Sequence, residues 1–584
     1  MRGGKLIAIK KPEFSDDDDL NPTNWRQSLP EKWFHLRASS KVRIGVFLIL
    51  LAAIGYIAYY FISKSNKINA TIDCNDCNKI ISLLQDIFTS DKHRIPKTSE
   101  AIKTISTLVC ATLGFLNLDD IPCSTGDNFE QCKDMCSGIV NTYIKSVETS
   151  LYTSSNLPIY ACHQLSSKCL LDIPCTIEKE LSSALQISLD ASEPSIINDK
   201  IRNGKILLLT DIHLDLYYHN NTDSFCGNSV CCEERYGSGS SGYYADTTSG
   251  LCEISTQFLE KFSCEYNQMY GPFDSVFVLG DYADHALARQ SISYNYAEIV
   301  ETHRILKKCF GSTPIIDVLG NHDIFPVNHY TAGKDDEWIY SLLNNFVHED
   351  IPVNLDYLNS TIYAGGFYTV KMFDGLRLIV LNSNFYHNDN LATIGKCNDT
   401  SNQFAWLDKV LEKSVNNSEE VIILAHGHYT DFLGAFKNHF TDLIKKYNKN
   451  IKAYLFGHWH QYKICFMKNG TEPILLEISP NTLSTYGSQV INPGFAVLDY
   501  LYTNRSFNIE NITYQIIDVN KFNNVSESNY IATLDLDLNY TNIKSMFDTV
   551  AEKVIYYRNS TNSFDNPILQ KIFSMDDCGS SWWE

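Results

Sequence analysis

At 584 residues the chain is too long for one ordinary core, which predicts at least two domains. Its formal net charge is −20, with 68 acidic against 48 basic residues. That argues against a nucleic-acid polymer as partner, because phosphate backbones are met by clustered Lys and Arg.

The first element in chain order is not globular. Residues 44–62, IGVFLILLAAIGYIAYYFI, are nineteen residues without a charge, long enough to cross a bilayer as a single helix. More than forty residues precede it, including the acidic run at 16–19, so an uncleaved signal anchor is expected rather than a cleaved signal. Lys32, Arg37, Lys41 and Arg43 place residues 1–43 in the cytosol as a tail, although Lys64 and Lys67 weigh against it from the other flank. All eighteen cysteines follow the apolar segment. So do eleven Asn-x-Ser/Thr sequons, at Asn69, Asn220, Asn359, Asn398, Asn416, Asn469, Asn504, Asn511, Asn524, Asn539 and Asn559. Disulfides and N-glycans belong to the secretory lumen or the outside. The expectation is a single-pass type II membrane protein whose body is lumenal (endolysosomal) or extracellular.

Residues 71–177 form the next unit. It opens with Cys74 and Cys77, and Ile80, Ile81, Leu84, Ile87 and Phe88 then recur at helical spacing. AIKTISTLVC and CSGIVNTYIKSVETSL repeat that rhythm, and Cys162 and Cys169 close the unit. Short amphipathic helices with cysteines at both ends suit a small domain with a thin core, and a disulfide reading fits a lumenal chain better than a zinc knuckle or redox pair. The pattern resembles the saposin B-type domain. That resemblance implies an all-α unit in contact with lipid, with Cys74 bonded to Cys169, Cys77 to Cys162 and Cys110 to Cys136. Cys123 and Cys132 depart from the six-cysteine pattern as an extra pair in the intervening loop. The alternative reading is a purely structural cover for the next domain.

Residues 178–203 read as a linker, polar from 191 onward. From Gly204 to about Tyr500, apolar runs of about five residues alternate with helical patterns such as ETHRILKKCF, the rhythm of buried strands and helices in an α/β or α+β domain. Residues 501–584 are vaguer, rich in asparagine and tyrosine.

Five of the strand-like runs end in Asp, Asn or His. KILLLTDIHLD carries Asp211 and His213; SVFVLGDYADH carries Asp281 and His285; IIDVLGNHD carries Asn321, His322 and Asp323; VIILAHGH carries His426 and His428; YLFGHWH carries His458 and His460. Residues two apart on a strand point the same way, so His458 and His460 can aim at one place. Sites in sheet-based folds gather at the carboxyl ends of strands, so the five ends can converge. Each motif alone is weak, since a lone Asp-x-His is more often a surface turn. Five agreeing strand ends are not.

The ordered set resembles the calcineurin-like metallophosphoesterase family. The resemblance implies a β-sandwich flanked by helices, classed as α+β, over residues 204–500. It also implies two Zn2+ or similar divalent ions, one held by Asp211, His213 and His460, the other by Asn321, His426 and His458, with Asp281 bridging. Two such ions can clamp a phosphoryl group and activate a bridging hydroxide, and mixed imidazole and carboxylate ligation suits zinc better than magnesium. A leaving alkoxide needs a proton; His322 is the first candidate donor, and His285 is the second or else a phosphate contact.

Three further stretches, SFCGNSVCCEE, GNHDIFPVNHY and SPNTLSTYGSQVINPGFAVLDY, resemble the acid sphingomyelinase and acid sphingomyelinase-like group. That resemblance implies Cys226 bonded to Cys231 and Cys232 to Cys252, and hydrolysis of sphingomyelin in a membrane to ceramide and phosphocholine. Cys264 and Cys309 flank the Asp281 strand and its following helix and make a plausible third pair, while Cys175, Cys397, Cys465 and Cys578 are left unassigned. The anchor, the proline-poor linker and Asp323 in GNHD depart from the group's usual pattern. Nucleotide hydrolysis and endopolyphosphatase activity therefore stand as alternatives, as does a lipid-binding protein with a dead site. Nothing in the sequence bears on homo-oligomerisation.

Overall fold

The computed structural model describes residues 194–197 and 201–537, apart from 227–228, 247–249, 288, 352–355, 391, 394–398, 487–492 and 525–530, together with Ser82 and Ser137. The expected tail, the apolar segment 44–62, the unit at 71–177 with its cysteine pairings, and Asn69, Asn398, Asn539 and Asn559 lie outside the described residues. Among the described residues no helix is long and apolar enough to cross a membrane.

Strand β1 (Ile201–Leu209) pairs in parallel with β2 (Ser275–Val278), and β2 with β3 (Ile315–Asp317). Ile206, Leu207, Leu208 and Leu209 are all fully buried, which is why this run is continuously apolar rather than alternating. Helices α1 (Thr256–Tyr270) and α2 (Ile292–Phe310) intervene. Each starts where a serine accepts a backbone N–H, Ser255 from Phe258 and Ser291 from Tyr294, which satisfies a donor the first turn leaves free. The two are tied by the Cys264–Cys309 disulfide.

Helices α3 (Glu337–Asp350) and α4 (Asp356–Gly365) lead to the second sheet. It contains β4 (Tyr368–Phe373), β5 (Leu376–Val380), β6 (Glu420–Leu424), β7 (Ile451–Leu455), β8 (Lys463–Asn469) and β9 (Glu472–Ser479), in the order β4-β5-β6-β7-β9-β8. Helices α5 (Gln403–Asn416) and α6 (Gly434–Tyr447) cross between its parallel strands. The first sheet is completed by β10 (Gly494–Thr503), β11 (Ser506–Ile517) and β12 (Ile531–Asp537), in the order β12-β11-β10-β1-β2-β3, with a short α7 (Val519–Asn523) before β12.

The two sheets share one apolar core. Phe373 of β4 stacks on Tyr502 of β10 at 4.4 Å, and the Tyr514 hydroxyl of β11 donates to the Lys463 carbonyl at 2.7 Å. The expected sandwich is therefore present, but its central strands run parallel with helical crossovers. That gives α/β character where an α+β fold was expected. Nor does the sheet stop near residue 500: β10 runs through it, and β11 and β12 extend the same sheet. At the other end β1 begins three residues before Gly204, and the amides of Ile196 and Ile197 donate to the carbonyls of Lys371 and Met372 on β4.

The disulfides Cys226–Cys231 and Cys232–Cys252 are formed as the resemblance implied. Asn416, Asn469, Asn504 and Asn524 are exposed, and Asn220, Asn359 and Asn511 partly so.

Candidate metal centre

The five strand ends meet. Asp211 and His213 follow β1, Asp281 follows β2, Asn321 and His322 follow β3, His426 follows β6, and His458 and His460 follow β7. Both sheets thus contribute parallel strands whose carboxyl ends face one cleft, where side chains leaving the ladder are free to point inward. The turns are tight enough to force unusual backbone. Asp211, His213, Asp281, His458 and His460 all have positive φ, between 46° and 71°. Non-glycine residues occupy that region at a cost, and such strain persists where the surrounding structure over-determines it. Glycine is required beside them: a Cβ on Gly457 would lie 1.9 Å from Thr210 Oγ1, and one on Gly320 2.1 Å from the Asp281 amide nitrogen.

Two groups of donors result. One atom each from Asp211, His213 and His460 lies within 4.8 Å of the others, and so does one each from Asp281, His426 and His458. Within the first, His460 Nε2 is 3.3 Å from Asp211 Oδ1 and 3.1 Å from His213 Nε2. Within the second, His426 Nε2 is 3.2 Å from Asp281 Oδ2 and 2.9 Å from Asn321 Oδ1. Asp281 Oδ2 also lies 3.7 Å from His213 Nε2, so a single oxygen reaches both groups. Ligands held by a common ion at about 2.1 Å sit roughly 3.0–3.4 Å apart, and most of these separations match.

The tautomers support a cation in each group. His213 Nδ1 and His426 Nδ1 each lie 2.7 Å from a backbone carbonyl, of Ala283 and Leu279 respectively. A carbonyl only accepts, so each Nδ1 carries its proton and each Nε2 turns inward. Inward-facing nitrogens beside one another and beside carboxylate oxygens need a positive charge between them. Part of that demand shows in the acid–base balance. Burial pushes Asp281 up, but His426 and His322 outweigh it and hold the carboxyl well below its usual range. Burial lowers His426, yet Asp281 outweighs it and lifts the imidazole to about 9. His460 is likewise raised, by Asp211 against burial. Burial, with His285 next, lowers His213 well below its ordinary value; burial, with His387 next, does the same to His458. The donors are oxygen and imidazole nitrogen, so the set fits divalent ions of the zinc or manganese type.

The two candidate proton donors stand at the rim of the first group. One nitrogen each from His213, His285 and His322 lies within 4.8 Å of the others. The His322 amide donates to Asp281 Oδ1 at 2.8 Å, and its Nδ1 is buried without a hydrogen-bond partner among the described residues. Burial lowers both imidazoles to about 3, with His285 the next cause for His322 and His460 for His285. His428 is not brought to the cleft: it is fully buried, with Nδ1 2.7 Å from Thr430 Oγ1 and Nε2 3.4 Å from Glu477.

Four further residues support the ligands without being candidates to hold a metal. Asp323 accepts the amides of Gly320, Asp281, Tyr282 and Ala283 at 2.7 to 3.3 Å and so pins the Asp281 loop. Trp459 donates its indole N–H to Asp431 at 2.7 Å, fixing the turn between His458 and His460. His387 lies edge-on to His458 at 4.8 Å. Glu253 lies 2.5 Å from His285 Nδ1. Asp323 and Trp459 stand inside motifs that sequence reading singles out, while His387 and Glu253 are placed by tertiary contacts.

Residues 204–462 match the family model of the calcineurin-like phosphoesterases. Sphingomyelin phosphodiesterase 1 of Caenorhabditis elegans is 27% identical over 393 residues, 64% of this chain and 65% of that one. Sphingomyelin phosphodiesterase B of Dictyostelium discoideum is 28% identical over 388 residues, 64% of this chain and 56% of that one. Cyclic GMP-AMP phosphodiesterase SMPDL3A of Rattus norvegicus is 26% identical over 316 residues, 51% of this chain and 68% of that one. The chain thus spans 65% and 56% of the two sphingomyelin phosphodiesterases it matches. The motifs, the converging strand ends and these matches agree: residues 204–462 are a calcineurin-like metallophosphoesterase domain, and the chain has sphingomyelin phosphodiesterases among its relatives.

Proposed function

We propose that the chain is a metal-dependent phosphodiester hydrolase acting on sphingomyelin, releasing ceramide and phosphocholine. The observation that carries the reaction class is Asp281 Oδ2, placed between two groups of inward-turned histidines. The choice of sphingomyelin rests on the names of the relatives and on the saposin-like cysteine pattern at 71–177. Asp211, His213 and His460 would hold one divalent ion, Asn321, His426 and His458 a second, and Asp281 both; zinc suits this donor set. Bound there, the ions supply Lewis acidity to the phosphoryl group and lower the pKa of water. The protein's own part is to fix the phosphodiester over Asp281, exclude competing water, and deliver a proton to the departing alkoxide from His322 or His285. The body would lie in the endolysosomal lumen or outside the cell behind an anchor at 44–62, as the cysteines and sequons suggest.

A second reading, hydrolysis of nucleotide phosphodiesters, is favoured by the match to a cyclic GMP-AMP phosphodiesterase. Rates on sphingomyelin vesicles, cyclic GMP-AMP, ATP and polyphosphate at acidic pH separate the two. Sphingomyelin turnover well above the others supports the lipid reading. Preference for cyclic GMP-AMP or ATP, or for polyphosphate, replaces it with a nucleotidase or an endopolyphosphatase.

A further inference from the structure

One buried acid in the fold has no role in holding the metals. Glu253 is fully buried, and among the described residues no lysine or arginine pairs with it. A carboxyl group taken out of water without a cationic partner costs stability. Its hydrogen bonds all run toward the cleft. Oε1 lies 2.5 Å from His285 Nδ1 and accepts the His285 amide at 3.3 Å, while Oε2 accepts the Ser484 hydroxyl. Ser484 Oγ in turn accepts the Tyr486 amide at 2.9 Å, and the Tyr486 ring lies flat on His285, 4.3 Å away at 8°. The Ser484 amide donates to Thr482 Oγ1, and that hydroxyl donates to the Asp211 carbonyl at 2.6 Å. Glu253 itself follows Cys252, which is bonded to Cys232, and precedes Ile254, bridged to Leu214, the residue after the ligand His213. The Glu253 carboxyl group, the 482–486 segment and the disulfide loop therefore form one frame around a single imidazole.

We infer that Glu253, backed by Ser484 and Tyr486, is the positioning residue that holds His285 against His322 with its Nε2 turned to the reacting phosphodiester. The inference rests on the hydrolase reading above. A histidine ring can rotate about two bonds. A hydrogen bond to Nδ1 and a flat aromatic contact remove that freedom and leave Nε2 as the nitrogen that meets substrate. Without the frame the ring would spend most of its time out of reach, and proximity lost by even an ångström is costly. His285 is 17% exposed at its side chain, so it opens to the cleft, whereas Glu253 does not. Glu253 acts through His285 and touches no substrate.

The test uses the full-length protein in detergent, with bis(p-nitrophenyl) phosphate as the soluble probe. Glu253→Ala should lower kcat about 10- to 100-fold, the usual cost of losing an outer partner of a catalytic histidine, with KM within about twofold. Metal content should be unchanged. Glu253→Asp should recover part of the loss, and Glu253→Ala should cost little further in a His285→Ala background. Ser484→Ala, a milder change, should lower kcat in the same direction and serves if Glu253→Ala fails to fold. A crystal structure of the variant should show the His285 ring turned away from His322. Unchanged kcat in both variants, or a full additional loss in the His285→Ala background, overturns the inference. If the parent cleaves no phosphodiester, the hydrolase reading falls instead. The ring orientation in the variant crystal then decides by itself whether Glu253 positions His285.

Discussion

Two clusters in this fold have nearly the same composition and opposite characters. At the strand ends, Asp281, His426 and His458 bring one donor each within 4.8 Å; deeper in, His303 of α2, Asp317 of β3 and Asp350 of α3 do the same. In the first, the Leu279 carbonyl holds the Nδ1 proton of His426 and turns its Nε2 lone pair into the shared space, as the Ala283 carbonyl does for neighbouring His213. In the second, His303 uses both nitrogens on separate carboxylates, Nδ1 3.5 Å from Asp317 and Nε2 3.2 Å from Asp350. Phe346 stacks flat on its ring at 3.7 Å, and Lys307 pairs with Asp350. Two carboxylates against an imidazolium and an ammonium are already neutral. The strand-end ligands, taken with the neighbouring group, instead have backbone strain at five of seven residues and negative oxygen beside bare nitrogen. The difference teaches that composition does not make a metal site; the direction of the lone pairs does.

The sharpest way to break the comparison is at Asp281. Replacing it by Asn or Ala should remove activity more completely than replacing any single terminal ligand, by at least about a thousandfold, because one oxygen serves both groups. Near-normal turnover in the variant would mean that the groups do not act as one site.

The deeper cluster should fail differently. His303→Gln leaves two carboxylates facing each other in the core and should cost about 3 kcal/mol of stability in denaturant unfolding, with turnover per folded molecule unchanged. Burial lowers the His303 pKa, but Asp317 outweighs it and raises the group to about 9. Its folded value thus exceeds its unfolded one. The stability it contributes is fully present below about pH 6.5 and is lost as pH rises through about 9. Lys307, Asp317, Asp350, the Tyr282 hydroxyl, 2.5 Å from Asp317, and the Tyr368 hydroxyl, which donates to the Asp317 carbonyl at 2.8 Å, are titratable groups around this cluster. The pH dependence of unfolding in that window should flatten in His303→Gln. An unchanged slope would show that the imidazole is uncharged.

A smaller effect is expected one step back from the metals. Asp323→Asn places an amide group against backbone donors and loosens the Asp281 loop. Metal affinity should fall about 10- to 100-fold, as read by chelator competition, with the fold retained. No change in affinity would mean that the loop is held by its own turn.

Much of the strand-end cluster is legible in the sequence because each ligand follows a parallel strand whose last residues are buried and apolar or nearly so, a run that points at the residues after it. Asp211 and His426 are found that way. His285 and His322 come with the same motifs. Glu253 is not, since it sits in a disulfide-tied loop 32 residues from His285, and only folding brings them together. His303 hides for a related reason: its helix shows apolar periodicity, but nothing marks the carboxylates on β3 and α3 that will meet it. The strands after residue 500 are obscured by partial exposure: β11 has one mixed face, and its asparagines and glutamate break the apolar run.

The most direct test of the central claim is the metal content of the purified protein, measured by plasma mass spectrometry alongside hydrolysis of bis(p-nitrophenyl) phosphate. The account predicts two divalent ions per chain in the parent and in His303→Gln, and loss of ions and activity together in Asp281→Ala. Chelation of the parent should abolish hydrolysis, and zinc or manganese should restore it. A parent that hydrolyses the ester with no bound metal would contradict the account, and so would an Asp281→Ala variant that keeps both ions and its activity.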